Sequence, residues 1–157
     1  MLKFFTDDKL NLIKELLNLL IPSDKIFPAA GDLGVYKYID DKVIHNSNLQ
    51  KLYQEGFNFI NDESYYNYNT DFLSLELNKK YDLLKNVEKC KPIFFNNLLM
   101  NTYNGYYTNN HILNLLGPHT RPPQPLGYNI IEEVNINMLK NVINRGNIYK
   151  KLTKYEN

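Results

Sequence analysis

Thr6-Asp7-Asp8-Lys9-Leu10-Asn11-Leu12-Ile13-Lys14-Glu15-Leu16-Leu17-Asn18-Leu19-Leu20-Ile21-Pro22 is the stretch from which the fold class follows. Leu10, Ile13, Leu17 and Leu20 recur at three- and four-residue intervals, and Leu12, Leu16 and Leu19 widen the stripe. An apolar stripe of that period is the buried face of an α-helix. Thr6 suits the cap, and Asp7 and Asp8 place negative charge at the positive end of the helix. Pro22 ends it.

Working outward, the same period returns along the chain. Ile21 to Gly34 holds Pro22, Pro28, Gly31 and Gly34 and reads as a structured loop, with a second helix from about Asp32 to Ile44. Val35, Tyr38 and Ile39 face inward there, and His45-Asn46-Ser47-Asn48 breaks the helix. Leu49, Leu52, Tyr53, Gly56 and Ile60 mark a third helix, and the Tyr- and Asn-rich stretch from Asn61 to Asp71 reads as a loop. Ser74 suits the cap of a fourth helix to about Glu88, with Leu77, Tyr81, Leu84 and Val87 on one face. Pro92 fits the first position of a fifth helix, which buries Phe95, Leu98, Leu99, Thr102 and Tyr106.

A short sixth helix is predicted from Asn110 to Leu116, closed by Gly117 in the left-handed helical conformation. Pro118, Pro122, Pro123 and Pro125 then forbid helix, so Gly117 to Tyr128 is predicted to be extended. The tail from Ile131 to Asn157 carries one more amphipathic pattern through Ile136, Leu139, Val142 and Ile143. Alternating strand patterns do not extend beyond a few residues. The prediction is an all-α fold, a compact bundle of about five to seven helices with an extended proline-rich loop near the C-terminus. Residues 1–128 form the helical domain and 129–157 a C-terminal helical tail.

Composition narrows the function classes. A chain of 157 residues suits one domain. With 18 Lys+Arg against 17 Asp+Glu its net charge is +1, unlike a dedicated nucleic-acid binder. Cys90, the single cysteine, excludes an intrachain disulfide framework and a cysteine-based zinc cluster. No apolar run approaches the ~18 residues of a membrane span. The abundance of Asn, Lys, Ile and Tyr reads as the imprint of an AT-rich genome. An Asn-rich prion-like tract is disfavoured, because hydrophobic residues make up 43% of the chain and recur with regular spacing. The start of the chain shows neither a secretory signal pattern nor a twin-arginine pair. The expectation is a cytoplasmic chain, or a periplasmic one whose twin-arginine leader has been removed.

Chemistry-bearing patterns are sparse. A thiol enzyme would need Cys90, in Lys89-Cys90-Lys91, to meet His45, His111 or His119, and the histidines lack the spacing of metal ligands on a helix. The pairs Asp7/Asp8, Asp40/Asp41 and Glu132/Glu133 are read as helix starts and solvated faces rather than acid–base machinery. No phosphate-cradling glycine loop and no c-type haem motif occur. The expectation is a chain with no catalytic residues of its own, no metal site and no cofactor bound by it. The proline segment has a different use. Extended backbone that projects Arg121, Leu126 and Tyr128 loses little entropy on docking, so it is either a recognition surface or a strap packed on its own helices.

An ordered series of short motifs resembles the gluconate 2-dehydrogenase subunit 3 family. The series opens with Leu20-Ile21-Pro22-Ser23-Asp24, Phe27-Pro28-Ala29-Ala30-Gly31 and Val35-Tyr36-Lys37-Tyr38-Ile39-Asp40. Tyr53-Gln54-Glu55-Gly56-Phe57 follows, then Phe72-Leu73-Ser74 with Leu83-Leu84, then Phe94-Phe95 with Thr102 to Tyr107. It closes with Leu115-Leu116-Gly117 and Pro122-Pro123-Gln124-Pro125-Leu126-Gly127-Tyr128. The resemblance runs from Phe4 to Tyr128. It departs from the family at Leu33-Gly34, where members have Ala-Gly-type residues, and in lacking the twin-arginine leader that many members carry.

The resemblance implies a non-catalytic small subunit that binds and stabilises, and in exported relatives escorts, a larger flavoprotein of the glucose–methanol–choline type. That partner would hold FAD and oxidise a sugar, sugar acid or glycoside, passing electrons to a cytochrome or another acceptor. His119, Arg121, Pro122, Pro123, Gln124, Pro125, Leu126, Gly127 and Tyr128 are the candidate interface residues. The alternative is a stand-alone helical interaction module with no oxidoreductase partner.

Overall fold

The Leu-rich stretch forms α1, Asp8–Leu20, with Leu12, Ile13, Leu16, Leu17 and Leu19 buried. The computed structural model describes residues 4–6, 8–117 and 139–145. The chain divides into two units, Met1–Pro122 and Pro123–Asn157. In the first, α1 is followed by α2 (Tyr36–Ile44), α3 (Ser47–Tyr68), a 3-10 turn (Phe72–Ser74), α4 (Leu77–Cys90), α5 (Pro92–Tyr107) and α6 (Asn110–Leu116). In the second, α7 spans Lys140–Asn144, with Leu139 before it and Ile143 within it both exposed. The described residues are all-α, as the periodicity predicts. The proline segment and most of the predicted tail helix lie outside the described residues.

Helix α5 organises the first unit, since it packs against α1, α2, α3, α4 and α6. Pro92 occupies its first turn, where a missing N–H costs nothing. Phe94, Phe95, Leu98, Thr102 and Tyr106 point inward. Phe94 stands edge-on to Tyr53, with centroids 5.5 Å apart, and to Phe57, at 6.1 Å. Phe5 closes the cluster against Tyr53 at 5.8 Å. Each such edge-to-face pair adds about 0.5–1.5 kcal/mol to the gain from burial itself.

Four local expectations are corrected. Helix α2 begins at Tyr36 rather than Asp32, because the preceding residues form tight turns and Gly34 takes φ +87°, which no right-handed helix accommodates. Gly31 belongs to that turn: its N–H donates to Asn18 Oδ1 at 2.7 Å, and a β-carbon there would collide with the Lys14 carbonyl oxygen.

Helix α3 does not stop at Asn61 but runs 22 residues to Tyr68. Asn46 caps it, accepting from the Leu49 N–H at 3.1 Å, so only His45 and Asn46 separate it from α2. Tyr53, Gly56, Phe57, Ile60 and Ser64 form a narrow buried stripe. The polar residues that looked like a loop are the solvated side of this long helix, and Asn69, at φ 55°, ends it.

Ser74 does not cap the fourth helix. It ends the 3-10 turn, where Asp71 accepts from its N–H at 3.0 Å and from its hydroxyl at 2.7 Å. Helix α4 starts at Leu77, which is exposed, and buries Leu83, Leu84 and Val87. Gly117 ends α6 with φ 137° and ψ 163°, a glycine-favoured extended conformation rather than the left-handed helical one.

Candidate functional site

Burial of Asp40 is the departure from sequence reading that most affects the surroundings of the core. It lies on α2 as the first of an acidic pair, yet it is buried while Asp41 is exposed. Its Oδ1 accepts from the Phe4 and Phe5 N–H groups, both at 2.9 Å. Those bonds hold the segment that seats the Phe5 ring on the core. The expectation of a solvated face fails here because the inward turn of α2 meets a segment whose amides have no helical partner. The only hint in the sequence was an apolar Phe4-Phe5 pair just ahead of a capped helix.

Near the same helix, the Asn101 amide donates to Asn97 at 3.0 Å, and its Oδ1 accepts from Lys42 Nζ at 3.1 Å. The buried Tyr53 hydroxyl has no hydrogen-bond partner of good geometry among the described residues, although the Asn101 side chain approaches it. Burial pushes the Tyr53 phenol well above its ordinary range, an effect Asn101 offsets in part. The Tyr106 phenol is also raised, chiefly by burial, and donates to the Pro28 carbonyl oxygen at 2.8 Å. Both tyrosines therefore stay protonated and serve the packing.

Concavities open on the surface of the described residues, two of them next to elements already named. The larger, about 420 Å³, lies among α1, α3 and the 3-10 turn. Amides from Asn11, Gln54, Asn58 and Asn61 line it over Phe57 and Phe72. The smaller, about 190 Å³, sits where α4 gives way to α5 beside α3. It is lined by Leu52, Gly56, Cys90, Pro92, Ile93 and Phe94, with the charged residues Glu55 and Lys91.

The chemistry-bearing residues are dispersed. Cys90 is exposed at the end of α4 and its thiol donates to Asn86 Oδ1 at 3.4 Å, whereas His45 follows α2 and His111 lies in α6. Among the described residues no group of His, Cys, Asp and Glu is arranged to hold a metal ion, and no helix is long and apolar enough to cross a membrane. His119, Arg121, Pro122, Pro123, Gln124, Pro125, Leu126, Gly127 and Tyr128 lie outside the described residues.

A family model for gluconate 2-dehydrogenase subunit 3 matches residues 7–116. The chain belongs to that family. Neither a curated protein nor a solved structure matches it. The subunit 3 match takes in α1 through α6 and ends at Leu116, so every helix of the first unit lies inside it and the proline segment does not.

Proposed function

We propose that this chain is the non-catalytic small subunit of a dehydrogenase complex, and that it binds and stabilises a FAD-dependent flavoprotein of the glucose–methanol–choline type. The flavoprotein oxidises a sugar, sugar acid or glycoside and passes electrons to a cytochrome or another acceptor. FAD belongs to that partner. In exported relatives the small subunit escorts the partner, and this one shares the partner's compartment. The family match over residues 7–116 carries the reading.

What the chain contributes on this reading is a stiff platform. A bundle centred on one helix and locked by four edge-packed rings moves little on binding, so little ordering entropy opposes association. The proline segment contributes to the contact, with Arg121 and Tyr128 as anchors.

The test is isolation of the complex from the native source through an affinity tag on this chain. The expected result is one species on gel filtration with flavin absorbance near 450 nm and dye-reducing activity on a sugar or sugar acid. A chain that runs free of any flavoprotein refutes the reading. Arg121→Ala with Tyr128→Ala should weaken the complex and leave the helical circular dichroism unchanged.

A further inference from the structure

From Pro92 to Leu116, across α5, α6 and the two residues between them, the chain has no Asp, Glu, Lys or Arg, although 22% of all its residues are charged. The inward side of α5 is apolar because it is the centre of the bundle. Its outward side has no such reason. Ile93 is 75% exposed, Met100 59%, Tyr103 41% and Tyr107 48%. The neighbouring α4 behaves as a solvated helix should, exposing Lys79, Asp82, Lys85, Glu88 and Lys89.

At 3.6 residues per turn, Ile93, Asn96, Met100, Tyr103 and Tyr107 fall within an arc of less than about 100° and run about 21 Å along the helix. They alternate at three and four residues, the spacing of a seam that packs against another helix. Tyr103 and Tyr107 stack obliquely, their centroids 6.3 Å apart. At the other end of the stripe, Ile93 also lines the 190 Å³ pocket, together with Leu52, Pro92 and Phe94. An uncharged stripe of Ile, Met and Tyr that leads into a pocket of mostly apolar residues, with Glu55 and Lys91 also in its wall, has the composition of an interface core with an anchor site.

The structure assigns the outer face of α5 as the surface on which the dehydrogenase subunit docks, through an uncharged, apolar helix that places one side chain in the pocket beside Cys90. Charge decides the chemistry of that occupant. A Lys or Glu pressed onto the stripe from Asn96 to Tyr107 would lose its hydration with no counter-charge anywhere from Pro92 to Leu116; Glu55 and Lys91 stand only at the pocket end. The whole of this uncharged face lies within the region matched to the subunit 3 family. The inference rests on the subunit reading above.

Cys90 provides the reporter, being exposed, unique in the sequence and part of the pocket wall. In the tagged native complex its labelling by a maleimide should be at least about tenfold slower than in the free chain, with full labelling of both after denaturation. Met100→Arg, at an exposed position, should leave helicity and thermal midpoint unchanged and weaken the complex by about tenfold or more, whereas Lys85→Ala on α4 should not. A flavoprotein complex that leaves Cys90 labelling unchanged and tolerates Met100→Arg overturns this inference while the subunit reading stands. Absence of any flavoprotein complex overturns both. If Met100→Arg instead turns a dimer of this chain into monomers and spares the enzyme complex, the occupant is a second copy and the inference is wrong.

Discussion

The ring of Phe94 packs directly against Gly56: a β-carbon added at Gly56 would come within 2.5 Å of the ring's Cγ and Cδ2. Helix α3 and helix α5 meet there with nothing between them but a hydrogen atom. Gly56→Ala sets two effects against each other. Helix propensity gains about 1 kcal/mol, and overpacking a fixed ring costs about 1–3 kcal/mol. The ring cannot give way, because Tyr53 and Phe57 hold it from the sides. The expected outcome is a net loss of up to about 2 kcal/mol in urea unfolding. An unchanged or higher midpoint would show that the contact is slack.

Two buried tyrosines should respond oppositely to loss of their hydroxyls. Tyr53→Phe removes a buried group that has no well-formed hydrogen bond, so stability should rise by about 1 kcal/mol. Tyr106→Phe strands the Pro28 carbonyl oxygen, so stability should fall by about 1–2 kcal/mol. Thermal or urea melts of the two variants side by side test the contrast, which fails if both move the same way.

Asp40→Ala removes the acceptor of two backbone N–H groups and releases Phe4 and Phe5 together. Hydrogen bonds to a charged group contribute about 1.5–3 kcal/mol each, not fully additively, so a loss of about 3 kcal/mol is expected. Limited proteolysis should cut faster at Phe4 and Phe5. Asp40→Asn keeps an acceptor and should lose less, which separates the hydrogen-bonding role from simple loss of volume.

Acid should act through Asp24 and Asp71. Backbone N–H groups of Phe27 and Ile26 hold the Asp24 carboxyl below the ordinary aspartate value of 3.8. The Ser74 hydroxyl and N–H do the same for Asp71. A carboxyl depressed in the folded chain favours folding fully above its unfolded value, and that contribution is lost as pH falls through the folded value. The unfolding midpoint should therefore decline below about pH 4. In the Asp24→Asn, Asp71→Asn double variant that decline should be shallower; an identical slope would place the acid sensitivity elsewhere.

The sequence by itself determined the helical class, the order of the helices, the placement of Pro92 at the head of α5 and the membership that the motif series pointed to. These are legible because apolar periodicity, caps and proline act within a few residues of themselves. Asn61 to Tyr68 and the start of α4 were misread for the same reason. A one-residue-wide buried stripe is too thin a local signal, and Ser74 is as good a turn former as a cap.

Only the tertiary structure decided the rest. Asp40 and Asp41 are chemically identical neighbours, and the chain 35 residues away settles which is buried. Ile93 and Phe94 are adjacent apolar residues on one helix, and the packing of α3 and α4 settles which enters the core and which stays exposed. Burial depends on what else arrives at a surface, and that information is spread over the whole chain.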